Sequence, residues 1–468
     1  MGKRSIERLA VAAGLGIALL AGGCWRPRQP PPVVLITVDT LRADRLGCYG
    51  AEPTRTPNVD RLAAAGTVFE QAAAPLPETR PSHASILSSR YPRDHGVVSN
   101  AVDLPADVLT LAEVYRDAGY RTAAFVAVAL LGASGGFDRG FDDFAAPEDP
   151  PVWDADRVVP QAVAWLRDRD PERPFFLWLH LFDPHIPYQP PAAFDVHSPA
   201  ADRDRWPRVG WLTLIEAAAA NGGDVPRALV ERAKALYDAE IEHADHQLGT
   251  LLEALETTGL AAETVVALTA DHGECFGNGI YFEHSSCLYD GSIHVPLILR
   301  FPGRVPAGER RRHQVELLDL APTLLRLSGL EVPASFRGRD LFAHPPPAAP
   351  AFLQYPLYPA GEAAKRRQLL SLLPRVAGEP TRPIVAEREL LGLRTPRWKY
   401  LWTEAGEALY HLPDDPGEHR DVAAVHPAEV ERFRRAVRAW RRDHPLRLIA
   451  PETLSEELRR QLEALGYL

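Results

Sequence analysis

Short apolar runs alternate with longer amphipathic stretches along most of the chain. Continuous runs rich in β-branched and aromatic residues predict strands that are buried on both faces of a parallel sheet. Four such runs span residues 33–39, 174–183, 264–271 and 295–301. The longest amphipathic stretch predicts a helix over about 227–257. This alternation predicts an α/β sandwich, with helices flanking a central, mostly parallel sheet.

Capping residues mark the boundaries of two predicted helices. Thr56 precedes Pro57 at a first helical position, and Gly66 follows as a terminator. Thr110 and Glu113 have the spacing of a capping box, in which each side chain bonds the backbone N–H of the other residue. Both patterns predict helices that connect neighbouring strands of the sheet.

The composition changes near residues 343–350, where proline and alanine dominate. Beyond this point come short strand-like pieces, including 397–402, and a charged helix at 427–443. We therefore divide the folded part of the chain in two. A main domain is expected at 33–345, and a linker with a small C-terminal α+β subdomain at 346–468.

The N-terminus has the pattern of a secretory signal. Three basic residues precede an apolar run at 9–21, and the sequence LLAGGC follows. The AGGC motif resembles a bacterial lipoprotein signal, in which residues 1–23 are removed and lipid is attached to Cys24. Residues 24–32 would then be a proline-rich tether, and the protein a membrane-anchored lipoprotein of the cell envelope, on the periplasmic or extracellular side. An uncleaved N-terminal anchor is the alternative, and it also places the folded part outside the cytoplasm.

The net charge bears on the expected binding partners, and the chain length on the number of domains. The chain has 468 residues and a formal net charge of −10. A nucleic-acid-binding protein usually presents a basic face, so we expect no nucleic-acid partner. With 46% hydrophobic residues, the chain is long enough to build a large core or two domains.

The cysteines leave two alternatives open. Cys275 and Cys287 flank one short segment and could form a disulfide in an oxidising compartment, which would leave Cys48 unpaired. The absence of any disulfide is equally compatible with the sequence. The spacing is not that of a zinc-ligand motif.

Polar residues that can bind a metal follow three of the predicted strands. Asp39 ends the first, Asp271 and His272 end another, and Asp183 and His185 follow a third. In open α/β sheets the functional groups gather beyond the carboxyl ends of the strands, so these side chains are expected to converge. Carboxylates and imidazoles gathered in one place are ligands for a divalent metal.

Seven segments give the chain a specific resemblance. They occur in the order VVLITVDTLRADRLGCYG, TPNVDRLAAAGTVFEQA, RPSHASILSSRYPRDHGV, FDPHIPY, DHGE, VPLILRFPG and RWKYLW…ALYHLPDDPGEHRDV, and they cover nearly all of residues 33–425. In these segments the chain resembles the sulfatase family of the alkaline phosphatase superfamily. The resemblance implies an alkaline-phosphatase-like sandwich and a metal-dependent hydrolase of sulfate-type or phosphate-type esters.

The chain departs from the family pattern at the nucleophile. Typical sulfatases begin this helix with Cys or Ser, any residue, Pro, any residue and Arg, and the Cys or Ser is oxidised to formylglycine. Here the matching residues run from Thr79 to His83, with Pro81 in register. Thr79 cannot become formylglycine because its β-carbon carries a methyl group. The resemblance therefore implies that Thr79 acts as a hydroxyl nucleophile, with Ser82 as the nearby alternative.

The resemblance also implies a divalent-metal site. Its expected ligands are Asp39, Thr79, Asp271 and His272. Thr40 stands where relatives have a further metal-binding Asp, and His272 replaces their Asn. An imidazole in place of an amide favours zinc or manganese, with calcium as the alternative. One or two ions are expected, and the second would use Asp183, His185 and His284.

The other pocket residues are inferred from their positions in the family pattern. His185 resembles the anion-binding His of the family, and His284 stands where many relatives have Lys. Together with Thr79 they form the expected catalytic set. The expected substrate-binding residues are His83, Asn100 and His185.

Four further histidines have competing interpretations. His95 resembles a pocket residue but is equally typical of a hydrogen-bonded turn, and His180 could be a satisfied buried histidine. His243 and His246 lie beside Asp245 on the long predicted helix. We expect these two to lie on the solvated face of that helix.

The absence of formylglycine changes how a covalent intermediate can be opened. A covalent threonyl ester must be opened by an acceptor that attacks the transferred group itself. With two dications this favours hydrolysis of phosphoesters or phosphonates, or phosphotransfer, over sulfate-ester cleavage. A sulfuric ester hydrolase without formylglycine and a noncatalytic relative that binds anionic esters are the alternatives. The expected substrate is a small anionic ester, or a glycan or lipid headgroup that carries one.

Overall fold

The computed structural model describes residues 30–52, 54–148, 151–277, 280–343, 349–358, 375–376, 389–449, 456, 459–460 and 462. The predicted signal peptide, the expected lipidation site at Cys24 and the tether up to residue 29 lie outside these residues. None of the described helices is long and apolar enough to cross a membrane. The described residues from 31 onwards belong to one unit, which includes the described part of the expected C-terminal subdomain.

Eight strands of the described chain form the central sheet. In spatial order they are Glu309–Arg311 (β13), Thr67–Phe69 (β2), Leu297–Arg300 (β12), Val265–Ala270 (β8), Val33–Val38 (β1), Phe175–Leu181 (β6), Arg121–Val126 (β4) and Asp143–Ala145 (β5). The four apolar runs recognised in the sequence correspond to β1, β6, β8 and β12.

The pairing of these strands confirms a mostly parallel sheet. β1 lies between β6 and β8 and is parallel to both, and β4 is parallel to β5 and β6. β12 is antiparallel to β8 and β2. Every residue of β1 is buried, as expected for a continuous apolar strand covered on both faces.

Helices connect and cover the strands. Those of the described chain are Pro57–Ala64 (α1), Thr79–Ser88 (α2), Pro92–His95 (α3), Leu111–Asp117 (α4), Ala155–Asp168 (α5), Ala200–Arg205 (α6), Trp211–Ala220 (α7), Arg227–Thr257 (α8), Asp290–Ile293 (α9), Leu320–Leu327 (α10) and Pro427–Asp443 (α11). The capping box of Thr110 and Glu113 is confirmed at α4. The Thr56 side chain does not cap α1, because its hydroxyl instead accepts the Gly47 N–H at 2.9 Å.

The register of the sheet brings three strand ends together. Val38 of β1 pairs with Leu181 of β6 and with Ala270 of β8. The residues that follow these strands, among them Asp39 and Asp271, therefore emerge side by side at one edge. The fold thus delivers two acidic side chains to the same place from positions more than 200 residues apart.

The C-terminal part forms the small α+β unit expected from the sequence. Its antiparallel sheet contains Ala351–Gln354 (β15), Leu391–Arg394 (β17), Trp398–Trp402 (β18) and Glu407–His411 (β19), in that order. Helix α11 packs on this sheet through Phe433, Val437 and Trp440. Tyr91 and Leu318 of the main domain join the same apolar cluster, so the two parts share a core.

Short ribbons complete the described strands. They are Ala72–Ala73 (β3), Asp224–Val225 (β7), Cys275–Gly277 (β9), Ile280–Glu283 (β10), His294–Val295 (β11), Val315–Glu316 (β14) and Arg375–Val376 (β16). A disulfide joins Cys275 to Cys287 across the segment that contains β9 and β10. The structure thereby selects one of the two alternatives left open by the sequence, and Cys48 is a free thiol.

Candidate active site

Helix α2 presents Thr79 as its first residue, and every residue of this helix is buried. The preceding residue, Glu78, accepts the backbone N–H of Asn100 at 2.8 Å. The Arg80 guanidinium, also buried, donates to the Leu130 carbonyl at 2.7 Å and pairs with Asp103 at 2.7 Å. The start of the helix is therefore fixed on both sides of Thr79.

A carboxylate–imidazole cluster lies beside Thr79. The ligand atoms of Asp39, Asp271 and His272 all lie within 4.8 Å of one another, and the three side chains are buried. His272 Nε2 is 3.3 Å from Asp271 Oδ2 and 3.8 Å from Asp39 Oδ1. The Thr79 hydroxyl contacts the Asp39 carboxylate. The structure therefore brings together the four residues expected to bind a metal.

Hydrogen bonding leaves the ligand atoms of this cluster available. The Nδ1–H of His272 donates to the Gly273 carbonyl at 3.1 Å, which leaves the lone pair on Nε2. Asp271 Oδ1 accepts two backbone N–H groups, from His272 at 2.8 Å and from Thr40 at 3.3 Å. Among the described residues, His272 Nε2 and Asp271 Oδ2 have no hydrogen-bond partner, and Thr79 is the contact of the Asp39 carboxylate.

Burial makes both carboxylates of the cluster costly to ionise. Burial raises the pKa of Asp39 to about 7 and raises that of Asp271 well above its usual value. Burial lowers the pKa of His272, so this ring is neutral. Two buried carboxylates are costly to ionise without a nearby positive charge, which a divalent ion supplies. The donor set of carboxylates, imidazole and hydroxyl fits zinc or manganese.

Thr40 has a structural function at this site. Its φ angle of 54° lies in the left-handed region, which is uncommon for a residue other than glycine. This turn aims the Thr40 N–H at Asp271, and the Tyr237 hydroxyl donates to the Thr40 carbonyl at 2.7 Å. A strained turn at a strand end is thus stabilised by partners from two other elements.

His180 lies behind Asp39 and is fully buried. Its Nδ1 accepts the backbone N–H of Ala127 at 3.3 Å, so the ring proton lies on Nε2. Nε2 faces Asp39 Oδ2 at 3.5 Å. Burial lowers the pKa of His180 to about 3. His180 is therefore a neutral, buried histidine that packs against Asp39, in line with one of the two interpretations from the sequence.

The structure corrects the expectation that His83 binds substrate. Its Nδ1–H donates to the Thr79 carbonyl at 2.8 Å, and its Nε2 lies 3.1 Å from the Thr37 hydroxyl, which also accepts the Trp178 indole N–H. The ring is fully buried, and its Nδ1 is 3.5 Å from Asp271 Oδ2. Both nitrogens are engaged beneath the helix, so His83 supports Thr79 and Asp271 from below.

Ser82 and His95 are likewise turned away from the carboxylate cluster. The Ser82 hydroxyl donates to the Asp271 carbonyl at 2.6 Å. His95 Nδ1 accepts the Val97 N–H at 3.0 Å, and its Nε2 lies 3.0 Å from the Ser85 hydroxyl. Burial lowers the pKa of His95 to about 3. These bonds favour a structural turn for His95 over a place in the pocket.

His284 lies next to the ligand cluster and contacts two other histidines. Its ring stacks on His272 with centroids 4.4 Å apart and meets His185 edge-on at 5.3 Å. Its Nδ1 is 3.4 Å from Glu274 Oε1. Burial opposes a charge on this ring, but Glu274 outweighs burial and raises the pKa of His284 to about 9. Glu274 therefore favours the protonated form of His284.

Glu274 is a site residue that the sequence reasoning missed. It is fully buried and accepts the Tyr188 hydroxyl at 3.2 Å in addition to its contact with His284. The available signal was its position in DHGE, three residues after Asp271. A carboxylate so close to a metal ligand in sequence is a candidate partner for a nearby histidine.

His185 and Asn100 lie beside His284 and the first turn of α2, respectively. The Nδ1–H of His185 donates to the Ile186 carbonyl at 2.6 Å, and burial lowers its pKa to about 3. Asn100 Oδ1 accepts the Arg80 N–H at 2.8 Å, whereas its buried Nδ2 makes no hydrogen bond with any described residue. An unused donor beside the start of α2 suits the oxygen of an anionic ester. The substrate-binding function of both residues stays a prediction.

The structure corrects the expectation for Asp183. Its carboxylate accepts the Ala155 N–H at 3.0 Å and lies 3.4 Å from His243 Nδ1, so its contacts are made with α5 and α8. The expected second metal set of Asp183 with His185 and His284 is not a ligand cluster among the described residues.

The structure also corrects the expectation for His243. This side chain is only 2% exposed, because α5 and the loop after β6 cover this face of α8. His246, three residues further along the same helix, is exposed as expected. The sequence pattern did not reveal which histidine of the helix faces the covering elements.

These features define a class of protein. A buried hydroxyl at a helix start, beside carboxylate and imidazole ligands at the carboxyl edge of an α/β sheet, is the arrangement of a metal-dependent ester hydrolase. The family model for sulfatases matches residues 31–330. The chain therefore belongs to the sulfatase family, whose enzymes depend on divalent metals, and it is an ester hydrolase.

Individual comparisons agree with this assignment. The chain is 29% identical over 376 residues to an arylsulfatase of Clostridium perfringens, with 66% of this chain and 77% of that enzyme covered. A structure solved in complex with its substrate D-glucosamine-2-N,6-O-disulfate has a TM-score of 0.71 at 20% identity and covers 89% of this chain and 98% of its own. A phosphonate monoester hydrolase of Agrobacterium radiobacter has a TM-score of 0.68 at 23% identity, with 91% and 98% covered. The two structures confirm the predicted fold.

Proposed function

We propose that the protein is an extracytoplasmic hydrolase in which the Thr79 hydroxyl attacks phosphoesters or phosphonate esters. The observation that carries this proposal is the different placement of the two candidate hydroxyls. Thr79 contacts Asp39 at the ligand cluster, whereas Ser82 gives its proton to the Asp271 carbonyl. Thr79 is therefore the hydroxyl that can be activated. The cellular location rests on the signal-like N-terminus.

The expected metal would be held by Asp39, Thr79, Asp271 and His272. When bound, a divalent ion there lowers the pKa of the Thr79 hydroxyl and neutralises charge on the transferred group. The two carboxylates, now paired with positive charge, are held in their ionised forms. His180 and His83 hold Asp39, Asp271 and the Thr79 backbone in place from behind.

The remaining residues suit the two stages of an ester transfer. Asp39 is placed to accept the proton of the Thr79 hydroxyl as that oxygen attacks the substrate phosphorus. His284, held as a cation by Glu274, can pass a proton to the departing oxygen. Asn100 Nδ2 can donate to a non-bridging oxygen. Water then gives a proton to the neutral His284 as its oxygen attacks the phosphorus of the threonyl ester, and Asp39 returns its proton to the departing Thr79 oxygen, which completes hydrolysis.

Two observations bear on the choice between phosphorus and sulfur. Thr79 cannot form the aldehyde by which typical sulfatases release sulfate without attack on sulfur, and the likeness to a phosphonate monoester hydrolase supports phosphorus chemistry. The 29% sequence identity to an arylsulfatase supports sulfate-ester hydrolysis as the second candidate function. A sulfated sugar, like the one bound in a solved neighbour, is then the natural substrate class.

A matched set of aryl esters tests the proposal. The purified protein is stripped with a chelator, reloaded with zinc, manganese or calcium, and supplied with 4-nitrophenyl sulfate, phosphate, phenylphosphonate and a phosphodiester. We expect the phosphonate or phosphodiester to turn over at least ten times faster than the sulfate, with zinc or manganese. The Asp271→Asn variant controls for contaminating hydrolases. Faster turnover of the sulfate would overturn the choice of phosphorus, and activity unchanged after chelation would refute the metal site.

A further inference from the structure

A second cluster of ligating side chains is built from residues that the proposed reaction does not use. It combines Asp183, which follows β6, with Glu240 and His243 from the middle of α8. Their ligand atoms all lie within 4.8 Å of one another. Asp156, near the start of α5, approaches the same histidine. The loop after β6, α5 and α8 therefore contribute to one cluster of polar side chains.

Both ring nitrogens of His243 face carboxylates. Within the described part of the chain these nitrogens face only the carboxylates of Asp183 and Asp156, and the side chain is 98% buried. Asp183 Oδ1 is 3.4 Å from Nδ1, and Asp156 Oδ2 is 3.2 Å from Nε2. Two ligand atoms bonded to one tetrahedral ion at about 2.1 Å lie about 3.4 Å apart. The spacing between Asp183 and His243 agrees with that value.

Backbone donors orient the two buried carboxylates. The Ala155 N–H at the start of α5 donates to Asp183 Oδ2 at 3.0 Å. The Gln189 N–H donates to Glu240 Oε1 at 2.6 Å. In both Asp183 and Glu240, one carboxylate oxygen accepts a backbone N–H while the carboxylate stays within the cluster. Such outer hydrogen bonds are the usual means of orienting metal ligands.

Protons are the alternative way to balance this cluster. Burial together with Asp183 raises the pKa of Glu240 to about 8. Burial opposes charge on His243, but Asp183 and Asp156 outweigh it and raise the pKa of His243 to about 9. One divalent ion can replace both protons, since it pairs with the carboxylates and takes the lone pair of a neutral imidazole.

We propose that Asp183, Glu240 and His243 bind a second divalent ion, zinc or manganese, with Asp156 at the outer edge of the site. Carboxylate oxygens and one imidazole are the donor set that these ions prefer. The ion does not contact the reacting groups. It joins the loop after β6 to α5 and α8. Asp183 is two residues before His185, so the ion fixes the loop that carries this pocket histidine.

Metal content of the full-length protein is the direct test. The protein is stripped with a chelator, dialysed against zinc and measured by elemental mass spectrometry. We expect two zinc ions per chain in the wild type and one each in His243→Gln and Asp271→Asn, with none in the double variant. His246→Gln is the matched control, because this exposed residue lies on the same helix. It should retain two ions.

A thermal measurement distinguishes metal binding from a folding defect. Zinc should raise the melting temperature of Asp271→Asn, which keeps the second site, but not of Asp271→Asn combined with His243→Gln. If His243→Gln does not fold, Glu240→Gln, which keeps the side-chain shape, replaces it in both experiments. Wild-type stoichiometry in the variant that folds would overturn the proposal. A wild type that binds one zinc ion and loses it in Asp271→Asn would also overturn the proposal. The cluster of Asp183, Glu240 and His243 would then be a protonated ion pair.

Discussion

Thr79→Ala and Ser82→Ala should separate catalysis from stability. The two hydroxyls lie three residues apart on the same buried helix, yet their contacts differ. Thr79 contacts a carboxylate of the ligand cluster, and Ser82 donates to the main-chain carbonyl of Asp271. We expect the first substitution to abolish turnover and the second to weaken the fold.

The magnitudes follow from these contacts. Thr79→Ala removes the attacking oxygen, and loss of a nucleophile commonly lowers kcat by about 10³-fold or more. It removes one hydroxyl and one methyl group, so the melting temperature should fall less than the turnover does. Ser82→Ala leaves the buried Asp271 carbonyl without its 2.6 Å donor, which costs about 1–3 kcal/mol of unfolding free energy.

Two assays on the same preparations decide the matter. Initial rates on the best aryl ester give kcat, and urea unfolding followed by tryptophan fluorescence gives the free energy of unfolding. Thr79→Ser is the matched control, because it retains the oxygen and loses only the methyl group, and it should keep measurable turnover. Turnover that survives in Thr79→Ala and disappears in Ser82→Ala would show that the register of the nucleophile is wrong.

Three further outcomes are expected. Asn100→Asp keeps the oxygen that accepts the Arg80 N–H but removes the buried amide donor, so KM for an anionic ester should rise by about tenfold or more. Burial beside Asp319 raises the pKa of Glu316 from 4.5 to about 8, so the folded state is protonated where the unfolded chain is ionised. Stability should therefore fall as pH rises from about 4.5 to 8, and Glu316→Gln should raise the melting temperature more at pH 8 than at pH 5. Intact-mass measurement of protein from its native host should show diacylglycerol on Cys24 and no preceding residues, and a chain that keeps residues 1–23 would refute the lipoprotein signal.

The pattern of strand ends predicted the position of the ligand cluster. Asp39 and Asp271 each follow a continuous apolar strand, and parallel strands that lie side by side must deliver the next residues to one edge. Sequence therefore sufficed where a ligand directly follows a strand. The family pattern supplied Thr79, because the helix start is fixed by Pro81 two residues later.

The position of the Asp183 side chain could not be predicted from the strand pattern. It also lies just after a strand, but it is the second residue beyond β6 and not the first. Its side chain meets the start of α5 and the middle of α8, which are 28 and 60 residues away in sequence. Only the packing of those helices determines its direction, and the pattern along a single strand carries no information about that packing.

The histidines of the pocket show that hydrogen-bond partners, rather than residue type, set the charge of the site. His83 and His284 occupy positions where relatives have Arg and Lys, which from the sequence alone implies a less positive pocket. His284 recovers a positive charge because Glu274 raises its pKa to about 9, whereas burial lowers the pKa of His83 and its ring bonds the Thr79 carbonyl. One of the two family charges is therefore retained through a buried carboxylate that the sequence pattern did not single out. The pKa shifts therefore favour a positive charge at His284 beside the ligand cluster and a neutral His83 beneath α2.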